Sequence, residues 1–108
     1  IDGVKLTTTR AVSSFPNTLA LADANKFLKL DNGSANVTTI PPNSSVAFPT
    51  GTRIEITQSN SGQSQIVAGS GVTLRAAGGA SKLSAQYAQA TLLKVATDEW
   101  YLFGSITT

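Results

Sequence analysis

Residues 91–106 read TLLKVATDEWYLFGSI, and how this stretch folds decides the fold of the whole chain. Two runs of Leu, Val, Trp, Tyr and Phe flank the polar break Thr97-Asp98-Glu99. Such residues suit a pleated, half-buried surface, so the stretch predicts a β-hairpin. Its register matters because a slip of one residue turns every side chain to the opposite face. A loop with an even number of residues places Leu93, Val95, Trp100, Leu102 and Ile106, with Gly104 among them, on one wholly apolar face. Leu92, Lys94, Ala96, Tyr101, Phe103 and Ser105 then share the other. An odd loop would set Lys94 beside Trp100 and Leu102, so the even register is the expectation. Its second face is too apolar for open water, which implies two partners for the hairpin.

Composition bounds the rest. A chain of 108 residues is one domain, and a domain of this size buries roughly 65% of the surface of its extended chain. Charged residues are only 13% of the total, and Ser, Thr, Asn, Gly and Ala take their place. The net charge of +2 comes from scattered residues, too weak a field to attract nucleic acid or acidic lipid. The chain has no Cys and no His, which removes disulfides, thiol nucleophiles, imidazole bases and the usual transition-metal ligands. No cofactor or metal is expected. No apolar run is long enough for a membrane span, so no membrane insertion is expected. A start at Ile1 without Met suggests a fragment or processed product. Three Asn-X-Ser/Thr triplets, at Asn32, Asn36 and Asn43, are read as chance in so Ser/Thr-rich a chain.

Along the chain, Val4 to Thr9 alternates and is read as a weak strand or lead-in before Pro16. Residues 18–30 carry helix formers throughout, yet the favoured reading is a short strand around Leu19, a turn at Asp23 to Asn25 and a strand from Phe27 to Leu30. Asp31-Asn32-Gly33-Ser34 is a turn, and Val37 to Ile40 resumes a β-branched run. Pro41-Pro42-Asn43 forces a bend, because proline cannot donate to a ladder. Val46 to Phe48 is an edge segment at most. Thr52 to Gln58 alternates strictly and is the clearest strand, with Ile54 and Ile56 inward. Further strands at Gln65 to Ala68 and Val72 to Arg75 are punctuated by Gly-rich turns, and a small-residue loop spans Ala76 to Ala80. The count is about eight short strands, the spacing of sandwiches and barrels. No residue pattern recurs, so a repeat solenoid is not supported.

Several of these stretches carry a resemblance. Ala24-Asn25-Lys26-Phe27, Val46 to Thr52, Gly71-Val72-Thr73-Leu74, Gln86-Tyr87 and Ala90 to Val95, closed by Trp100 and Gly104, together resemble a module of tailed-bacteriophage tail-fibre and tail-spike tips. The likeness runs from about Leu19 to Ile106 and includes no catalytic signature. It implies a distal virion domain, homotrimeric, that contacts the host surface, with residues 1–17 as a lead-in from a shaft and 18–108 as the globular tip. A trimer would bury Leu92, Tyr101 and Phe103 as a subunit interface. A second sheet covering that face within one chain is the equal alternative.

Candidate sites are few. Trp100 is read as core. Tyr87, in the looser context Ser84-Ala85-Gln86-Tyr87-Ala88-Gln89, is the better sugar-stacking residue, although a core or interface role is favoured over ligand contact. Recognition is otherwise expected in the Ser/Asn/Gly loops, with Asn60 and Asn32 as ligand-binding candidates. The carboxylates Asp2, Asp23, Asp31, Glu55, Asp98 and Glu99 show no facing pair of the kind glycoside hydrolysis needs. Asp98 and Glu99, adjacent at a turn tip, are read as solvated, and the protein as not an enzyme. Lys26, Lys29, Arg53, Lys82 and Lys94 are read as solvated surface rather than a basic patch. The sequence therefore predicts an all-β domain, an antiparallel sandwich or jelly-roll-like fold, acting at a virion tip as a homotrimer that binds a bacterial-surface glycan. The alternatives are a purely structural trimerisation or capping module and a glycan-cleaving subunit.

Overall fold

The computed structural model describes residues 9–108. The described residues form the strands β1 (Thr9–Val12), β2 (Asn17–Thr18), β3 (Phe27–Leu30), β4 (Asn36–Ile40), β5 (Arg53–Gln58), β6 (Ser64–Ala68), β7 (Thr73–Arg75), β8 (Lys82–Leu83), β9 (Gln89–Ala96), β10 (Glu99–Gly104) and β11 (Ile106–Thr107). The expected lead-in strand lies outside the described residues except for Thr9. Two sheets result, one ordered β1-β3-β5-β9-β10-β7 and the other β11-β8-β6-β4-β2. The all-β, two-sheet expectation holds.

The antiparallel expectation does not. β1, β3 and β5 run parallel in the first sheet, and β2, β4 and β6 run parallel in the second. From β1 to β8 the chain changes sheet at every strand, so successive strand pairs stack as rungs of a short two-sheet coil. Only β9 and β10 close the first sheet as an antiparallel hairpin, with β9 also antiparallel to β5. The coil escapes a repeat search because its rungs differ in length. Thr9 aligns with Phe27 and Phe27 with Glu55, the second circuit being lengthened by residues 41–52. Parallel strands need such crossovers, and here each crossover is itself a strand of the opposite sheet.

Side chains alternate in and out along each strand. Leu28, Leu30, Ile54, Ile56, Leu92, Trp100 and Leu102 meet Ile40, Ile66 and Leu83 of the other sheet across the core. At the β1 end, Arg10 lies on the inward side and reaches the buried Asp23, with Nε 2.8 Å from Oδ1. Asp23 Oδ2 also accepts a hydrogen bond from the Ala20 N–H at 3.0 Å. Asp23 sits in the 3-10 turn Leu21–Asp23, where a turn was expected, and the ion pair gives the first rung a polar edge.

The hairpin overturns the expected register. Thr97 and Asp98 do form a two-residue turn, with Ala96 opposite Glu99 and Asp98 at φ 58. One step later Trp100 faces Lys94, so Val95 is left over as a β-bulge. An extra residue on one strand reverses the facing of everything beyond it. Leu92 and Lys94 thus join Trp100 and Leu102 in the core, while Leu93, Val95, Tyr101 and Phe103 turn outward. Leu92 is completely buried within its own chain, which removes it from any subunit interface.

The bulge is tolerated because Lys94 finds acceptors. Residues 41–52 are not an edge strand but a loop that folds Phe48 into the core, edge-on to Trp100 with ring centroids 5.4 Å apart. The Phe48 carbonyl accepts from Lys94 Nζ at 2.6 Å, and Asn43 Oδ1 accepts from the same amine at 2.7 Å. A buried ammonium is retained only when it is hydrogen-bonded in this way. Asp98 Oδ1 completes the clamp by accepting from the Asn43 N–H at 2.7 Å. Asp98 is therefore a structural acceptor rather than a solvated turn tip, and Glu99 pairs with Arg75 at 3.0 Å.

Urea denaturation tests this register. Leu92→Ala is expected to cost about 2–5 kcal/mol, as for a fully buried leucine. Lys94→Met, which strands the buried Phe48 carbonyl and the half-buried Asn43 amide, is expected to cost about 1–3 kcal/mol. Val95→Ala, on the exposed bulge, should stay within about 0.5 kcal/mol of the parent. A Val95 variant more damaging than the Leu92 variant would mean the even register after all.

Candidate functional site: the polar loop end

The C-terminal ends of β3 and β5 lie side by side, since the two strands are parallel with Leu30 opposite Gln58. Their outgoing loops, residues 31–35 and 59–63, therefore emerge together. The loop before β9 joins them: Tyr87 N–H donates to the Gln58 carbonyl at 2.6 Å, and Gln58 N–H donates to the Ala88 carbonyl at 3.1 Å. All three candidate ligand residues, Asn32, Asn60 and Tyr87, are thus brought to one end of the sandwich.

Buried amides and a hydroxyl hold that end in shape. Ser64 Oγ donates to Asn36 Oδ1 at 2.8 Å, and Ser64 N–H donates to Gln58 Oε1 at 3.2 Å. Asn36 Nδ2 donates to the Ser34 carbonyl at 3.0 Å, and Gln58 Nε2 to the Asn60 carbonyl at 3.1 Å. Each of these groups is removed from water and needs a partner, so the network fixes both loops against the core. Gly62 seals the contact: a Cβ there would collide with the Ser34 carbonyl oxygen.

The two asparagines spend much of their capacity inside the loops. Asn60 Nδ2 donates to Asp31 Oδ1 at 2.9 Å, and its Oδ1 accepts from Ser61 N–H at 2.7 Å. Asn32 Oδ1 accepts from Ser34 N–H at 2.8 Å, an Asx-turn contact within its own loop. Two further triplet asparagines are likewise engaged, Asn36 in the buried network and Asn43 on Lys94.

Tyr87 differs from both. It is 75% exposed, and its backbone lies in the left-handed region at φ 69. That conformation costs an L-residue about 1–2 kcal/mol, and a strained backbone holding up an exposed aromatic ring is a reason to look for function there. The two neighbouring loops carry amides, hydroxyls and backbone groups, with Asp31 as their one charged residue. Beside the loops, a depression of about 170 Å³ is lined by Asn36, Gln63, Gln65 and Lys82 among others. Amides dominate that lining, with the Lys82 amine as its one charged group.

The remaining polar candidates lie apart from this end. Tyr101 and Phe103 sit on the outer face of the first sheet, 44% and 42% exposed. On the same face Arg53 Nε donates to Glu55 Oε2 at 3.0 Å, and Thr91 Oγ1 donates to Glu55 Oε1 at 2.6 Å. Lys94 is buried, so the five basic residues do not make one surface. Among the described residues no group of three or more His, Cys, Asp or Glu is close enough to hold a metal ion. The sequence signal missed entirely was the inward role of Phe48 and Lys94, which no local pattern marks. Comparison with protein-family models, curated proteins and solved structures finds no match.

If the Tyr87 ring is kept for contact rather than packing, Tyr87→Gly should relieve the left-handed strain and raise stability by roughly 0.5–1 kcal/mol. Thermal unfolding checks this, and a destabilised variant would show that the ring packs.

Proposed function

We propose that this domain is a non-enzymatic recognition module at the tip of a virion fibre, taking a bacterial-surface glycan at the loop end that carries Tyr87, Asn32 and Asn60. The observation that carries the reading is the exposed, left-handed Tyr87 held beside two polar loops by backbone hydrogen bonds to Gln58. A sugar ring stacks its C–H face on an aromatic ring, while its hydroxyls exchange hydrogen bonds with neighbouring amides. Such contacts are individually weak, and a homotrimer presenting three loop ends would multiply them by valency. The carboxylates among the described residues support a binding rather than a hydrolytic role. Asp23, Glu55 and Glu99 pair with arginines, Asp31 accepts from Asn60, and Asp98 accepts from Asn43.

A second reading, a structural trimerisation or capping module, is favoured by the outer face of the first sheet. Tyr101 and Phe103 there stand beside the half-buried Leu93 and are left open by the other described residues. A three-fold contact across that face would hide both rings.

A glycan array and pull-down on whole bacteria separate the two. Binding is expected, with Tyr87→Ala weakening it at least tenfold at unchanged thermal stability. A folded chain that binds neither cells nor sugars would favour the structural module. Light scattering at micromolar concentration should give the trimer mass, and a monomer would remove the trimer from either reading.

A further inference from the structure

The loop between β3 and β4 contains Asn32-Gly33-Ser34. Glycine at position 33 puts no Cβ between the Asn32 side chain and the main-chain nitrogen that follows it. Gly33 is exposed, and among the described residues its N–H donates to no acceptor. The Asn32 amide is meanwhile polarised, since its Oδ1 accepts from the Ser34 N–H at 2.8 Å. A donor on that oxygen steadies the negative charge that develops when a nucleophile adds to Cγ. An unshielded nitrogen and an activated carbonyl are what an asparagine needs to close on its own backbone.

Other asparagines in the fold lack this combination. Asn60 lies in the adjacent loop, yet its Oδ1 accepts from the Ser61 N–H at 2.7 Å, which engages the nitrogen that would attack. Its departing group is held as well, because Nδ2 donates to Asp31 Oδ1 at 2.9 Å. Asn36 is buried in β4, with Oδ1 on Ser64 and Nδ2 on the Ser34 carbonyl. The β-branched Val37 follows it and crowds the approach. Asn43 is followed by Ser44, and its Oδ1 is clamped to the buried Lys94 amine.

We propose that Asn32-Gly33 is a spontaneous modification site, at which asparagine converts to aspartate and isoaspartate and recharges the loop end as the protein ages. The Gly33 nitrogen forms a bond to Asn32 Cγ, the Cγ–Nδ2 bond breaks, and the Gly33 N–H proton leaves with Nδ2 as ammonia. Water then opens the succinimide ring. Addition at Cγ breaks its bond to the ring nitrogen and gives aspartate. Addition at the main-chain carbonyl carbon breaks the other C–N bond and gives isoaspartate.

Either product adds one negative charge, so the net charge falls from +2 to +1. The new carboxylate stands next to Asp31 in sequence, where like charges repel. Isoaspartate also lengthens the main chain by a methylene, at a point held by the Gly62 N–H donating to the Asn32 carbonyl at 3.0 Å. The chemistry is independent of what the loop end binds.

Incubation of the 108-residue chain at mildly alkaline pH in heavy-oxygen water, followed by peptide mapping by mass spectrometry, tests the proposal. Heavy oxygen should enter at Asn32 at least tenfold faster than at Asn36, Asn43 or Asn60, in both aspartyl and isoaspartyl peptides. In Gly33→Ala the added Cβ meets no atom within 4 Å, so the fold is kept and entry should slow at least tenfold. Unfolding in urea should speed Asn60 at least tenfold and Asn32 less than threefold, because the fold shields only the former. An unchanged Asn32 in the folded chain, equal rates at Asn32 and Asn60, or a Gly33→Ala chain as reactive as the parent would each overturn the proposal. Equal acceleration of Asn32 and Asn60 by urea would also overturn it, by showing that the loop protects its asparagine.

Discussion

The Lys94 ammonium is buried beside Trp100 and Leu102, and a charge in such a place persists only with close acceptors. Those acceptors come from residues 41–52, through Asn43 Oδ1 and the Phe48 carbonyl. The same loop drives the Phe48 ring edge-on against Trp100. One amine thus ties the longest crossover of the coil to the hairpin that closes the sheet. The bulge at Val95 is what aims the amine inward, and Leu93, Tyr101 and Phe103 face outward as its consequence. The outward facing of these residues on the first sheet descends from that single extra residue.

A second polar centre shapes the loop end of the sandwich. Gln58, Ser64 and Asn36 are buried at the ends of parallel strands, where apolar side chains would have left two loops unanchored. Their hydrogen bonds hold residues 31–35 and 59–63 against the core, and Gln58 further fixes Tyr87 through its backbone. A rigid frame carrying exposed polar loops is the usual division of labour between scaffold and recognition surface. At the far rung, the Arg10–Asp23 pair ends the core on a charged note, consistent with the polar edges that stacked-strand folds need.

Local pattern made the strands legible. Strict alternation in residues 52–58, the turn at residues 31–34 and the proline bend at residues 41–42 all correspond to features of the fold, because period-two burial and turn chemistry act over a few residues. Strand direction was not legible. Parallel pairing between β3 and β5 depends on where a crossover goes, and nothing in FLKL or RIEITQ records it. The facing of the hairpin was hidden for a related reason: charge argued against placing Lys94 with Trp100, and its acceptors lie some fifty residues away in sequence. Of the candidate site, Tyr87, Asn60 and Asn32 stood out by their polar surroundings, while their gathering at one end required the parallel register. Leu92 was assigned outward only because the bulge was invisible.

Amine acetylation followed by mass spectrometry tests the buried Lys94 most directly, since acetylating reagents reach only amines that meet solvent. Lys29 is exposed, whereas only 3% of Lys94 is accessible. The folded chain should therefore acetylate at Lys29 while Lys94 stays unmodified, and Lys94 should react only once the protein is unfolded in urea. Acetylation of Lys94 at the rate of Lys29 in the folded chain would place the amine in water and contradict the bulged register.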